Sequence, residues 1–269
     1  MTVFDRIIRA AAAAASVIVL CASPAAATSE QRLDVTLRGK TLTVSLYRAS
    51  QSPAMGTIFM GSGDVGWVGL GVDMAEYLSD RGYTVIGINS RQYLGAFTSG
   101  KLTLKTSDVP GDYLFLFHYL QAQKLITPPV FLSGVSEGAA LAALAGAGEQ
   151  NRSWVNGVMT MGLPGTAELG WKWSDFTTWL TKKDSDEPMF MPKEFVAAIA
   201  PTPLCMLQSR KDEYVTPDEY KALEQAARDP KKQVLIDASN HRFTDKRKEL
   251  QQEVLGCVAW MKEHQPARR

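Results

Sequence analysis

The strongest chemical signal in this chain is five residues, Gly134-Val135-Ser136-Glu137-Gly138. They read G-x-S-x-G, with the apolar run "VFLS" before them and the alanine-rich run "AALAALAGA" after. A strand that turns abruptly into a helix would hold Ser136 in a strained backbone conformation and expose its hydroxyl. Side chains at positions 134 and 138 would collide with the neighbouring strand and helix, so both want glycine. The chemistry implied is nucleophilic attack by Ser136. A serine hydroxyl does this only with a base beside it.

The base follows by elimination, because the chain has three histidines. His118 lies inside the apolar run "YLFLFHYL" and reads as a packed histidine. His264 ends the last helix, facing solvent or capping carbonyls. His241 stands in the loop "SNHRF", just past the last strand. That position lets a base reach a nucleophile on a neighbouring strand end. Its imidazole needs a carboxylate to orient it. The loop "RKDEYVTP" offers Asp212 and Glu213, and Asp212 has the better spacing from the strand before it.

A second glycine-rich turn, "GSGDVGW" at residues 61–67, matches G-x-G-x-x-G. A dinucleotide fold would use such a turn for a pyrophosphate and place an acid at the end of the next strand. That strand ends "GINSR", without one. With Ser136 as nucleophile, the turn supplies an oxyanion donor instead. The backbone N–H of Asp64 is the choice for it, with Gly63 and Val65 as neighbours, and the N–H of Glu137 is the other donor. The Asp64 side chain either bonds local N–H groups or meets a cationic substrate group.

These residues need a scaffold. Alternating runs around Gly39-Lys40 predict an N-terminal antiparallel hairpin. Short apolar strands then alternate with helices at "TIFM", "YTVIGIN", "VFLSG", "VNGVMTMG", "PLCMLQS" and "KQVLIDA". This predicts an α/β fold with a mainly parallel sheet and helices on both faces. Residues 91–107 read as loop. Residues 163–199 form a cap insertion before the acid-bearing strand. Its Trp171, Trp173 and Phe176 are candidate substrate-binding residues, with Trp179 beside them, unless these rings only pack the insertion.

Residues 1–27 combine Arg6 and Arg9, the run "AAAAASVIVLCA" and an A-x-A site. This is the pattern of a signal peptide cleaved after Ala27, leaving 28–269 as the folded domain and predicting a periplasmic or secreted protein. The alternatives are an uncleaved anchor, for which the run is short, and a lipoprotein at Cys21, where Leu20 is larger than such a site needs. Cys205 and Cys257 remain in an oxidising compartment and either pair or stay as two buried thiols, the simpler reading. Net charge is +1, with 21% charged residues interspersed, which argues against a nucleic-acid partner. Histidines are too few and dispersed for a metal site, and no cofactor is expected.

The elbow "GVSEG", the acid in "RKDEYVTP" and the histidine in "SNHRF", in the order Ser136, Asp212, His241, resemble the α/β-hydrolase superfamily across the whole mature chain. More narrowly, "SGDVGW" resembles the S-G-D-G-G-W motif of VirJ/AcvB-like exported hydrolases. Cys205 lies on the strand where that family tends to carry a cysteine. Val65 departs from the motif, and no second cysteine follows Cys205 in its loop. The resemblance implies a serine hydrolase acting on a small-molecule or lipid ester, aminoacyl-phosphatidylglycerol in particular, in peripheral contact with membrane lipid. The competing reading is a non-catalytic envelope or secretion-system assembly factor on the same scaffold.

Overall fold

The computed structural model describes residues 30–98, 104–172 and 188–266. The expected signal peptide, and Trp173, Phe176 and Trp179 of the cap, lie outside the described residues.

Eight strands form one sheet in the order β1-β2-β4-β3-β5-β6-β9-β10. β1 (Gln31–Leu37) and β2 (Lys40–Tyr47) make the expected hairpin. Its turn places Arg38 at φ 46° and Gly39 at φ 77°. Paired positive φ values give a turn the twist that matches the strands it joins. β2 lies antiparallel to β4 (Thr84–Ile88). From there the sheet is parallel: β4, β3 (Thr57–Gly61), β5 (Val130–Val135), β6 (Val155–Met161), β9 (Leu204–Ser209) and β10 (Lys231–Ile236).

The central strands read as continuous apolar runs because both faces are covered. Phe59, Ile86, Leu132, Val158 and Met206 face one core, with α3 (Asp108–Ala122) and α4 (Glu137–Ala147) against it. Ile58, Met60, Val85, Phe131, Met159 and Leu207 face the other, under α1 (Leu70–Ser79) and the C-terminal helix α6 (Arg247–Glu263). A helix between β9 and β10, α5 (Pro217–Ala226), opens with a reciprocal capping box between Thr216 and Glu219.

Three expectations need correction. Residues 91–107 are not all loop, since α2 (Ser90–Ala96) lies there. The Asn89 side chain caps it by accepting from Gln92 N–H at 3.1 Å, and Tyr93 anchors it by donating to Asp112 at 2.7 Å. A helix this short shows little periodicity, and its support comes from Asp112 on α3. His118 is exposed rather than packed, on the solvent side of α3. Cys205 and Cys257 are joined, with S–S 2.03 Å and Cα–Cα 5.9 Å, because α6 crosses directly over β9. Residues 163–199 fall between β6 and β9 as expected, and include a two-stranded ribbon of β7 (Ala167–Glu168) and β8 (Met189–Phe190).

Candidate active site

The elbow takes the form its sequence demands. β5 ends at Val135, α4 begins at Glu137, and Ser136 between them has φ 52° and ψ −118°. A positive φ is costly for a side-chain-bearing residue and persists only where the surroundings enforce it. Here they do. A Cβ on Gly134 would stand 2.1 Å from the Gly138 carbonyl oxygen, and one on Gly138 would stand 2.4 Å from Gly61. Ala139, Ala140, Ala142 and Ala143 are buried, which lets α4 run close over the sheet. Ser136 N–H donates to the Met161 carbonyl at 3.0 Å, fixing the elbow against the end of β6.

Asp212 and His241 come together in the loops after β9 and β10. His241 Nδ1 and Asp212 Oδ2 are 2.7 Å apart. Gln208, on β9, donates its amide to the same Oδ2 at 2.7 Å. The N–H groups of Tyr214 and Val215 donate to Oδ1 at 2.9 and 3.0 Å. The Asp212 side chain is fully buried. A buried carboxylate with this many donors is held in one orientation, and it holds the imidazole in turn. Glu213 binds the same residue from its main-chain side, where its carboxylate accepts the backbone N–H of His241 at 2.7 Å. The two acids that the sequence left as rivals therefore grip the two halves of one histidine.

His241 is 7% exposed. Its ring lies against Gly162, where an added Cβ would be 2.6 Å from Cε1, and Gly162 sits at φ 64°. The Tyr214 ring meets it edge-on at a centroid distance of 5.3 Å. Since Gly162 follows Met161, whose carbonyl holds Ser136, the histidine ring reaches across from the loop after β10 to the end of β6, the strand next to the serine's own.

The turn after β3 faces the elbow. Gly63 lies against Ser136, and a Cβ there would be 3.7 Å from the Ser136 Cβ. Ser62 ties the turn to the end of β4 and the start of α2, its N–H donating to the Ile88 carbonyl and its hydroxyl oxygen accepting from the N–H of Ser90. Asp64 and Val65 form the exposed tip. This is the wrong neighbour for a dinucleotide turn and a suitable one for an oxyanion donor.

The Ser136 hydroxyl donates to Glu137 Oε2 at 2.8 Å, and His241 Nε2 is buried without a hydrogen-bond partner among the described residues. Burial, and then the nearby charge of Asp64, push the Glu137 carboxyl above its usual range. The sequence singled out the Glu137 backbone and overlooked its side chain. It also missed Gln208 and Gly162, whose roles depend on cross-strand contacts. Trp171 stands beside the turn. With Trp67, Val65, Asn89, Arg91 and Lys172 it lines a cavity of about 610 Å³. The Arg91 guanidinium stacks 4.0 Å from the Trp171 ring centre. Among the described residues there is no cluster suited to a metal and no helix long and apolar enough to cross a membrane.

A family profile described as "Bacterial virulence protein (VirJ)" matches residues 55–259. No curated protein matches the chain. Among solved structures it is similar to the esterase domain of a Rhodothermus marinus protein, with TM-score 0.59 and 21% identity over 87% of this chain and 99% of that one. An α/β serine hydrolase without a lid from Xanthomonas campestris gives TM-score 0.56 and 17% identity over 92% and 100%. A dienelactone hydrolase from Anabaena variabilis gives 0.59 and 18% over 88% and 98%. The shared fold is that of the α/β hydrolases.

Proposed function

The chain belongs to the VirJ family of bacterial virulence proteins, and from that premise we propose that it is an exported serine hydrolase of carboxylic esters. The observation that carries this reading is the 2.7 Å contact of Asp212 with His241, set beside a serine on a strained elbow. Ser136 Oγ attacks the acyl carbon, and His241 Nε2 takes its proton. The C–O bond to the alcohol then breaks, and His241 returns the proton to the leaving oxygen. Water repeats the sequence to release the acid and restore Ser136. Asp212 stabilises the imidazolium throughout. The N–H groups of Asp64 and Glu137 hold the oxyanion, each donor contributing roughly 3–4 kcal/mol in comparable sites.

The substrate is an aminoacyl-phospholipid ester of the aminoacyl-phosphatidylglycerol type. Two features support it. The exposed carboxylate of Asp64 stands at the tip of the turn beside Ser136, where an ammonium group would be welcome. Arg91 and Lys172 line the neighbouring cavity, where a lipid phosphate on the alcohol side would find cations and apolar walls together.

The test is direct. Wild type should be labelled by a fluorophosphonate, and Ser136→Ala should not. The same change should cut ester turnover by several orders of magnitude. Incubation with total membrane lipids, followed by mass spectrometry, should show aminoacyl-phospholipids consumed by wild type alone. An unlabelled wild-type protein that instead captures envelope secretion components would transfer the function to assembly.

A further inference from the structure

The Glu137 side chain occupies what the proposed reaction needs. Its carboxylate accepts the Ser136 hydroxyl's hydrogen bond at 2.8 Å, while the base that should accept it, His241 Nε2, has no partner among the described residues. The same carboxylate belongs to the residue whose backbone N–H is the donor assigned to the oxyanion, and it bonds the hydroxyl that must attack. It thus stands beside Ser136 Oγ, in the way of an incoming ester. Glu137 is half-buried, with part of the residue still reached by solvent.

We propose that Glu137 is a selectivity gate: it blocks the nucleophile at rest and moves onto an ammonium group on the acyl part of the substrate. This rests on the serine-ester reading above and extends it to a residue. The charges around the gate explain its preference. Asp64 and His241 are the charged or titratable groups that act on Glu137 beside Ser136. A carboxylate left in place would repel a developing oxyanion at close range. Asp64 adds a second negative charge. A neutral acyl chain gives Glu137 no new partner, whereas an α-ammonium, two bonds from the carbonyl carbon, offers one that draws the carboxylate off Ser136 Oγ. Once Glu137 has turned, Ser136 Oγ is free to bond His241 Nε2, and the Glu137 N–H is free to receive the oxyanion.

The experiment compares alanyl and propionyl esters of one alcohol, which differ by the ammonium group alone. Wild type should favour the alanyl ester in kcat/KM by about ten- to a hundredfold, the range of a charge-assisted hydrogen bond. In Glu137→Gln and Glu137→Ala that ratio should fall towards one, and Glu137→Ala should react faster than wild type with a neutral fluorophosphonate. The wild-type preference should also fade as pH rises through the titration of the substrate amine, near about 8, while the variants show no such trend. Wild type that hydrolyses both esters equally would overturn the gate without any variant being made. So would an unchanged ratio in variants that still label. Undiminished turnover in Ser136→Ala would instead defeat the serine mechanism itself.

Discussion

Asp212 is the best-held residue of the site, with Gln208 and His241 on one oxygen and two backbone N–H groups on the other. Asp212→Asn keeps the shape but presents a donor to His241 Nδ1 and favours the wrong tautomer. Turnover should fall by about 10⁴-fold with little change in melting temperature, as read from steady-state kinetics and a thermal scan. Glu137 makes a prediction of the opposite kind. Its carboxyl is raised, so the folded protein holds that proton more tightly than the unfolded chain does. The stability this confers is fully present below the ordinary glutamate range and is lost as pH rises through the raised value. Wild type should therefore lose melting temperature relative to Glu137→Gln as pH rises above the ordinary glutamate range, about 4. An unchanged gap above that range would contradict the shift. Ser136, Asp212 and His241 were legible because each sits at a strand end in a recognisable order. Gln208, Gly162 and the Glu137 carboxylate were not, because side-chain direction in a folded loop leaves no mark on spacing.

At the scale of elements, the elbow is a junction of glycines. Gly134 and Gly61 both press on Gly138, so β3, β5 and α4 meet with backbone against backbone. Gly134→Ala should destabilise by at least about 1–3 kcal/mol, the usual cost of overpacking, because the obstacle is main chain that cannot rotate away. Denaturant unfolding would measure it, and a neutral result would mean the junction yields more easily than its contacts imply. Strand and helix order was readable because buried parallel strands are written as apolar runs between glycine and proline stops. The helix α2 was not, since its stability comes from Asn89 and Asp112 rather than from its own pattern. His118 misled for a related reason. An apolar helix of two-sided composition does not say which turn faces water, and the exposed side proved to carry Phe115 as well.

For the molecule as a whole, the sheet order puts the elbow after β5, Gly162 after β6, Asp212 after β9 and His241 after β10, four neighbouring strand ends in a row. Parallel strands bring every one of these loops to the same edge. The disulfide then fixes β9 to α6 across a sequence separation of 52. Closing a loop of that size stabilises by about 4 kcal/mol on the chain-entropy account. Reduction should lower the melting temperature by about 10 °C, and the Cys205→Ala, Cys257→Ala double variant should not respond to reductant. The pairing was the hardest feature to read, since nothing in sequence tells that α6 passes over β9. It also has a topological result. The covalent ring from Cys205 to Cys257 contains both Asp212 and His241, and leaves Ser136 outside it. A single nick anywhere between the acid and the base opens the ring without severing either from the other. On a gel, such a nicked protein would run as one species until thiol is added, and only then part into two.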